Sequence, residues 1–441
     1  MIIDFSIQNY RSLKDKVTIS FEPENSDRLE DFYIIEPVSG LKLLKLGIIY
    51  GPNGSGKTTI LKALDFLRDL VINSATQKQR LLNLEPFLFD IDSRNSPTLF
   101  TLNFVAEGKK YLYEVSVNKH AITSESLYFY SPKKALVFER GTDVFKQLAI
   151  IKFGSKIKLR KAEEDTLVTN TLWNATVLGS FLRTNIDSIE LQNVTDWFFY
   201  TLNDLVTPET DLFRDTSIQL SQSTKSKQNV LSFMKKAGFG ITDIGVEEKD
   251  VDDNVKEWLV VINQQLKKGG AGLDLDTIKS AMDFDIKFEH SIKKDNEITS
   301  FALSYEDESQ GTKRYFQFSG LLHDMLTSTK VVFIDELESS LHPDLVKHFL
   351  LLFLVNSKSS QLIATTHYRE LLMEKDMLRD DAIWFTEKKP DGGVDLYSLS
   401  DFDSSVIRDT SSIFNAYKSG KLGAVPALSD YYINLNNGEN E

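Results

Sequence analysis

The chain of 441 residues is predicted to adopt an α/β fold bearing an antiparallel β arm and a compact, mainly helical insertion. Three observations predict it. A glycine-rich loop joins an apolar run to a helical pattern near the N-terminus. Far downstream, a β-branched and aromatic run ends in two carboxylates. Between them, aromatic runs of strand character give way to longer, helical spacings. Open α/β sheets bind ligands at the C-terminal ends of their strands, which is where the loop and the acids would lie.

The N-terminus alternates Ile3, Phe5 and Ile7 in strand fashion. It has no basic segment ahead of an apolar core, and no stretch of the chain approaches the length of a membrane span, so a cytoplasmic protein without membrane attachment is expected. Leu46 to Tyr50 leads into Gly51-Pro52-Asn53-Gly54-Ser55-Gly56-Lys57-Thr58-Thr59, which completes G-x-x-x-x-G-K-[ST] between strand and helix. The three glycines allow the backbone to curl so that several N–H groups aim at one anion. Lys57 is placed to neutralise β and γ phosphate oxygens and the Thr58 hydroxyl to coordinate Mg²⁺, with the helix N-terminus adding positive potential. Asn53, Gly54, Ser55, Gly56 and Thr59 complete the expected nucleotide-binding set.

Past that helix, Thr98 to Val105, Tyr111 to Val117, Ala121 to Tyr130 and Leu136 to Arg140 are aromatic or β-branched runs separated by turn residues such as Glu107-Gly108, the expected arm. Within 152–161, alternation puts Lys156, Lys158 and Arg160 on one face of a charged edge strand. From about 165 to 280 the spacing of Trp173, Leu178, Phe181, Trp197, Phe198 and Phe199, then of Val255, Trp258, Leu259 and Ile262, favours helices with these residues in their core. Breaks at Ser221 to Ser226 and Gly269 to Gly272 leave the insertion too interrupted for a long coiled-coil arm. Strands resume at Asp283 to Glu289 and Ile298 to Leu303. The expected domains are an N-terminal lobe (1–164), the insertion (165–280) and a C-terminal lobe (281–441).

In that last lobe, Tyr305 to Thr312 leads into a helical pattern through Phe316, Phe318, Leu321, Leu322 and Met325, and Ser309-x-Gly311 at its start is a second anion-binding nest. Val331-Val332-Phe333-Ile334-Asp335-Glu336 reads as a buried parallel strand. Asp335 is placed to hold Mg²⁺ and Glu336 to take a proton from attacking water, a role worth about 10²–10⁴-fold in rate. Glu338 to Pro343 opens another helix, and Gln361 to His367 is an apolar strand delivering a histidine.

The order GPNGSGKT, ESQGT, VVFIDE, ESSLHP and TTH, preceded by Phe5-x-x-x-Asn9-Tyr10-Arg11-Ser12, resembles the ABC-type ATPase heads and, more narrowly, the OLD-like group of bacterial anti-phage and abortive-infection systems. The closing Ala416-Tyr417-x-x-Gly420-x-x-Gly423-Ala424-Val425-Pro426 is similar to the terminus of the RloA, AbiLi and AriA-type ATPases. The resemblance implies an enzyme that hydrolyses ATP with Mg²⁺ as a homo-oligomer, a dimer sandwiching ATP with further assembly left open. Ser309-x-Gly311 of one subunit would close over the γ-phosphate held by Lys57 of the other. It also implies Arg11 as a basic residue near the nucleotide, Glu336 as the base, Ser339-Ser340 as an inter-subunit contact and His367 as the γ-phosphate sensor. Gln310 stands where many relatives carry an acid. The glutamine that senses Mg²⁺ in such heads has no clear match, with Gln77 and Gln79 the candidates. In that setting the ATPase is a sensor and scaffold for a separate effector, such as a Toprim-like nuclease, answering a phage-encoded trigger.

Two alternatives stand beside this reading. One is a DNA-repair head of SMC-like type that clamps DNA. The net charge of −13 argues against a surface made mainly for nucleic acid, because phosphate contacts need clustered Lys and Arg, though direct binding is left open. The other is a self-contained OLD nuclease, which needs an acidic constellation after His367, where Asp401-Phe402-Asp403 is the sole D-x-D. The chain has no cysteine, which excludes disulfides, thiolate metal sites and a thiol nucleophile. Its six histidines show no i,i+4 or H-x-H spacing for zinc.

Overall fold

The computed structural model describes residues 1–249, 283–294, 297–402 and 413–426, which divide into two compact units. The first comprises Met1–Leu205, Val331–Glu336 and the chain from Gln361; the second comprises Val206–Lys330 and Leu337–Ser360. Among the described residues no helix is long and apolar enough to cross a membrane.

The first unit holds a five-stranded sheet in the order Val331–Ile334, Gln361–Thr365, Leu46–Tyr50, Ile383–Lys388, Val394–Ser398. The first four strands are parallel and the last antiparallel. The acidic, histidine and phosphate-loop strands are buried at every position, as expected of parallel strands covered on both faces. Parallel neighbours end at the same edge, so the loop after Tyr50, Asp335-Glu336 and Thr366-His367 come together although far apart in sequence.

The helix after the loop, Lys57–Ile72, buries Ile60, Leu61, Leu64, Leu67 and Val71, the i, i+3, i+4 stripe of an amphipathic helix. The arm is a seven-stranded antiparallel sheet in the order Leu148–Phe153, Lys134–Asp143, Ile122–Tyr130, Lys109–Val117, Thr98–Ala106, Ile2–Gln8, Val17–Ser20. Gln361 ties its N-terminal strand to the parallel sheet, accepting from Ile2 N at 2.7 Å and donating to Ile2 O at 2.9 Å.

The arm also encloses a charge pair that strand periodicity did not reveal. Glu125 and Arg140 are wholly buried 3.7 Å apart; the carboxylate accepts from Tyr113 Oη and Val177 N, each at 2.8 Å, and the guanidinium donates to Leu172 O and Trp173 O. Burial raises the Glu125 pKa, Arg140 opposing, and burial lowers that of Arg140.

Three expectations are corrected. The charged edge strand stops at Phe153: Lys156 and Lys158 lie beyond it, and Arg160 precedes helix Lys161–Asn170, its backbone N–H taken by Glu163 at 2.8 Å. The residues read as a compact insertion do not form one unit among those described. Helices Val177–Phe181 and Ile189–Asp196 and the π-helical turn Trp197–Thr201 belong to the first unit, because Trp197 packs 4.4 Å from Phe104 and Phe198 5.7 Å from Tyr113 of the arm. The described chain from Val206 belongs to the second unit. Finally, Phe199 is not core: the wider π-helical turn, with its i→i+5 hydrogen bonding, carries it and Tyr200 outward, half-exposed and paired at 4.8 Å. Val255, Trp258, Leu259, Ile262 and Gly269 to Gly272 lie outside the described residues.

In the second unit, strands Ile241–Lys249, Asp283–Lys294 and Glu297–Ser304 form an antiparallel sheet. Among the described residues the unit also holds helices Phe213–Gln222, Thr224–Lys236, Gln310–Thr327 and Pro343–Asn356. Its core gathers Phe316 against Phe288 at 5.3 Å and Phe318 against Phe349 at 5.3 Å. His323 sits between two polar partners, Asn229 Nδ2 lying 3.2 Å from its Nδ1 and Ser226 Oγ 3.1 Å from its Nε2, and burial lowers its pKa.

Candidate phosphate and metal site

The loop between Tyr50 and Lys57 is shaped by its own residues and by the next strand. Gly56 has φ +97°, and a Cβ there would press on the Val394 methyls at 2.9 Å, so the turn requires glycine. Ser55 Oγ lies 2.6 Å from Thr386 Oγ1 of strand Ile383–Lys388, which moors the loop. Lys57 is buried, with Nζ donating to Gly51 O at 2.9 Å and Pro52 O at 3.1 Å.

Thr58 Oγ1 lies 3.0 and 2.9 Å from the two carboxylate oxygens of Asp335. Thr365 completes the arrangement: its hydroxyl accepts from Glu336 N at 2.8 Å and donates to Asp335 Oδ1 at 2.6 Å. Asp335 is buried and makes no ion pair among the described residues. A buried carboxylate facing hydroxyl donors, with no cation paired to it, fits a small hard divalent ion such as Mg²⁺, which takes one or two carboxylates and completes its shell with water and phosphate. Glu336 follows in a left-handed conformation, φ +50°, with its side chain exposed.

A cavity of about 480 Å³ at this edge is lined by Ser12, Asn53, Gly54, Ser55, Gly56, Lys57, Thr58, Thr59, Glu336 and His367. The structure therefore brings together the whole expected loop, Glu336 and His367, with Asp335 joined through Thr58. Arg11 is not among the lining residues. It faces Glu85, with Nε 3.8 Å from the carboxylate, and lies 5.6 Å over the Tyr10 ring. Its neighbour Ser12 lines the cavity instead, donating to Thr59 Oγ1 at 3.2 Å. Asn9 is structural: its side chain donates to Ser93 O and Ser96 O and accepts from Phe87 N. Gln77 and Gln79 are exposed and line no part of the cavity. Asp401 accepts from Ser398 N and so caps a turn, while Asp403 lies outside the described residues.

Sequence reasoning missed Ser12, Thr365 and Thr386. Ser12 and Thr365 stood inside recognised motifs and could have been marked; Thr386 carried no signal beyond being polar within an apolar run.

Ser309 and Gly311 belong to the second unit. Ser309 is the N-cap of helix Gln310–Thr327, accepting from Thr312 N at 3.1 Å. Ser340, φ +62°, lies beside Gly311, whose Cβ position is 3.4 Å from Ser340 O.

A glycine-rich loop on the middle strand of the five, with Asp335 at the end of the acidic strand reaching Thr58, defines a P-loop nucleotide-binding domain. Residues 47–167 and 174–374 match the family model described as "AAA domain, putative AbiEii toxin, Type IV TA system", well over half the chain, and the chain belongs to that family. No curated protein matches the sequence. Among solved structures it is similar to the SMC head domain from Thermotoga maritima, at 15% identity over 90% of this chain and 98% of that one, with a TM-score of 0.41. It is also similar to an SmcHead bound to the C-winged helix domain of ScpA, at 14% identity over 95% and 99%, TM-score 0.41. A third is the Smc head domain with an extended coiled coil bound to the C-terminal domain of ScpA derived from Pyrococcus furiosus, at 12% identity over 96% and 98%, TM-score 0.37.

Proposed function

We propose that the chain hydrolyses Mg-ATP as a dimer that encloses the nucleotide, and that this cycle makes it a cytoplasmic sensor and scaffold for a separate effector in anti-phage defence, as in the OLD-like ATPases. The observation that carries the hydrolytic reading is the meeting of Lys57, Thr58, Glu336 and His367 in one cavity with Asp335 behind Thr58.

The backbone N–H groups of 54–58 and the Lys57 ammonium bind the β and γ phosphates. Thr58 and Asp335 would hold Mg²⁺, which would supply charge neutralisation at the phosphates. Glu336 accepts the proton of the attacking water, and His367, on the neighbouring strand, faces the γ-phosphate. From a second chain, Ser309 and the N-terminal end of its helix meet that phosphate, and the Ser339-Ser340 turn beside Gly311 contributes to the contact between subunits. The effector would be a protein such as a Toprim-like nuclease, released or assembled according to nucleotide state.

Lys57→Ala should abolish ATP binding in calorimetry; unchanged affinity would sink the site assignment. Ser309→Arg and Lys57→Ala chains, each inactive alone, should regain hydrolysis on mixing, since one composite site in the heterodimer stays intact. No recovery in heterodimers verified by native mass spectrometry counts against closure in trans. For the effector, the protein is purified with the product of the neighbouring gene and its mass measured with and without ATP; a nucleotide-independent mass would refute nucleotide-controlled assembly.

A further inference from the structure

The C-terminal turn of the first unit lines no part of the cavity, yet it reaches two segments that do. Tyr417, on helix Ile413–Lys418, is 2% exposed. Its ring meets Tyr50, the residue before Gly51, edge-on at 6.1 Å, and stacks at 5.4 Å on Phe385, the residue before the mooring Thr386. The Arg369 guanidinium lies 5.8 Å from the same ring, on the turn Arg369–Met373 that begins two residues after His367. Among the described residues that guanidinium makes no ion pair, and the ring face lies within cation–π reach of it.

The ring itself is fixed from behind. Tyr417 Oη donates to Ala424 O at 2.8 Å and Tyr397 Oη to Leu422 O at 2.9 Å. Gly423 has φ +64°, and a Cβ there would stand 2.5 Å from Tyr397 Oη and 2.6 Å from Glu387 Oε2, which explains why the turn carries glycine at that place. The segment 417–424 is thus tied to the sheet at two points, and its aromatic ring touches the end of the phosphate-loop strand and the start of the turn after His367.

We infer that Tyr417 is a positioning residue: through Arg369 it clamps the segment carrying His367 against the strand end that carries the phosphate-binding loop. The inference rests on the proposed hydrolysis only in so far as His367 faces the γ-phosphate. Lys57 and the loop are held by Thr386 and by their own carbonyls, so loss of the clamp should reach His367 and spare nucleotide binding.

Three variants of the full chain test it: Tyr417→Leu removes the ring, Tyr417→Phe keeps the ring without Oη, and Arg369→Ala removes the cation. Tyr417→Leu and Arg369→Ala should each slow single-turnover ATP hydrolysis about 10-fold to 100-fold, the effect of roughly 1 Å of misplacement, with ATP affinity within about threefold of wild type and Tyr417→Phe near wild type. Adding Tyr417→Leu to His367→Ala should slow hydrolysis no further, because a residue acting through His367 has no effect once it is gone. Amide exchange over 366–373 should rise in Tyr417→Leu and in Arg369→Ala, a readout independent of hydrolysis. Raised exchange in a protein whose wild type releases no phosphate would uphold the clamp and refute the ATPase reading. Unchanged exchange over 366–373 in Arg369→Ala, or multiplicative losses in the double variant, would overturn the clamp.

Discussion

Replacing Thr365 by Val tests how the two carboxylates of the site are held. Valine keeps nearly the same shape, so the packing of this fully buried position is preserved and the hydroxyl alone is lost. That hydroxyl accepts from Glu336 N at 2.8 Å and donates to Asp335 Oδ1 at 2.6 Å. Its removal leaves a partly buried N–H without its acceptor, a cost of about 1 kcal/mol in stability. Glu336 also sits at φ +50°, a conformation that costs a non-glycine residue of order 1–3 kcal/mol and persists only when its surroundings hold it. Once the backbone relaxes, the Glu336 carboxylate moves by roughly 1 Å, enough to slow the reaction about 100-fold, equivalent to about 2.7 kcal/mol of barrier. ATP affinity should change little, because Thr365 touches neither Lys57 nor the loop. Phosphate release, ATP calorimetry and urea unfolding read the three effects separately, and Thr365→Ser, which keeps the hydroxyl, serves as control. Wild-type turnover together with a wild-type unfolding midpoint in Thr365→Val would refute the reasoning.

Glu336→Gln should preserve ATP binding and trap a closed dimer, since only the proton acceptor is removed; turnover at the wild-type rate would show that another group is the base. Glu125→Ala leaves the Arg140 charge buried and the Tyr113 hydroxyl and Val177 N–H unpaired, so a loss of about 3–5 kcal/mol is expected in denaturant unfolding. A loss below about 1 kcal/mol would mean that water reaches the pair. Burial lowers the His323 pKa below its usual 6.5, Asp324 opposing. Because the folded value lies below the unfolded one, the stabilisation is complete above about pH 6.5 and is lost as pH falls through the folded value. The melting temperature of the wild type should therefore fall more steeply between about pH 7 and 5 than that of His323→Gln, and parallel curves would contradict this.

The phosphate loop was legible because its chemistry is local. Seven consecutive residues, Asn53 to Thr59, supply the curled backbone, the cation and the hydroxyl, and no distant partner is needed to recognise them. The acidic and histidine strands were legible for a related reason. Burial on both faces demands unbroken apolar runs, and the polar residues that end such runs mark a sheet edge. The same periodicity misled at 152–161, where the alternating cations lie beyond the strand and Arg160 precedes a helix. It misled again at Phe199, where a π-helical turn changes the angle per residue that a helical spacing assumes.

The sequence by itself determined the loop, the acids, the histidine and the strand character of the arm, because each follows from residues adjacent along the chain. Only the tertiary structure decided that Thr386 moors the loop, that Thr365 links Asp335 to Glu336, that Glu125 faces Arg140, and that the helices after 161 divide between two units. Those outcomes depend on which strands become neighbours. The sheet order sets the strand of Val331–Ile334 beside Gln361–Thr365 and that of Leu46–Tyr50 beside Ile383–Lys388, and a hydrogen bond formed across such a pair is encoded by no spacing along the chain.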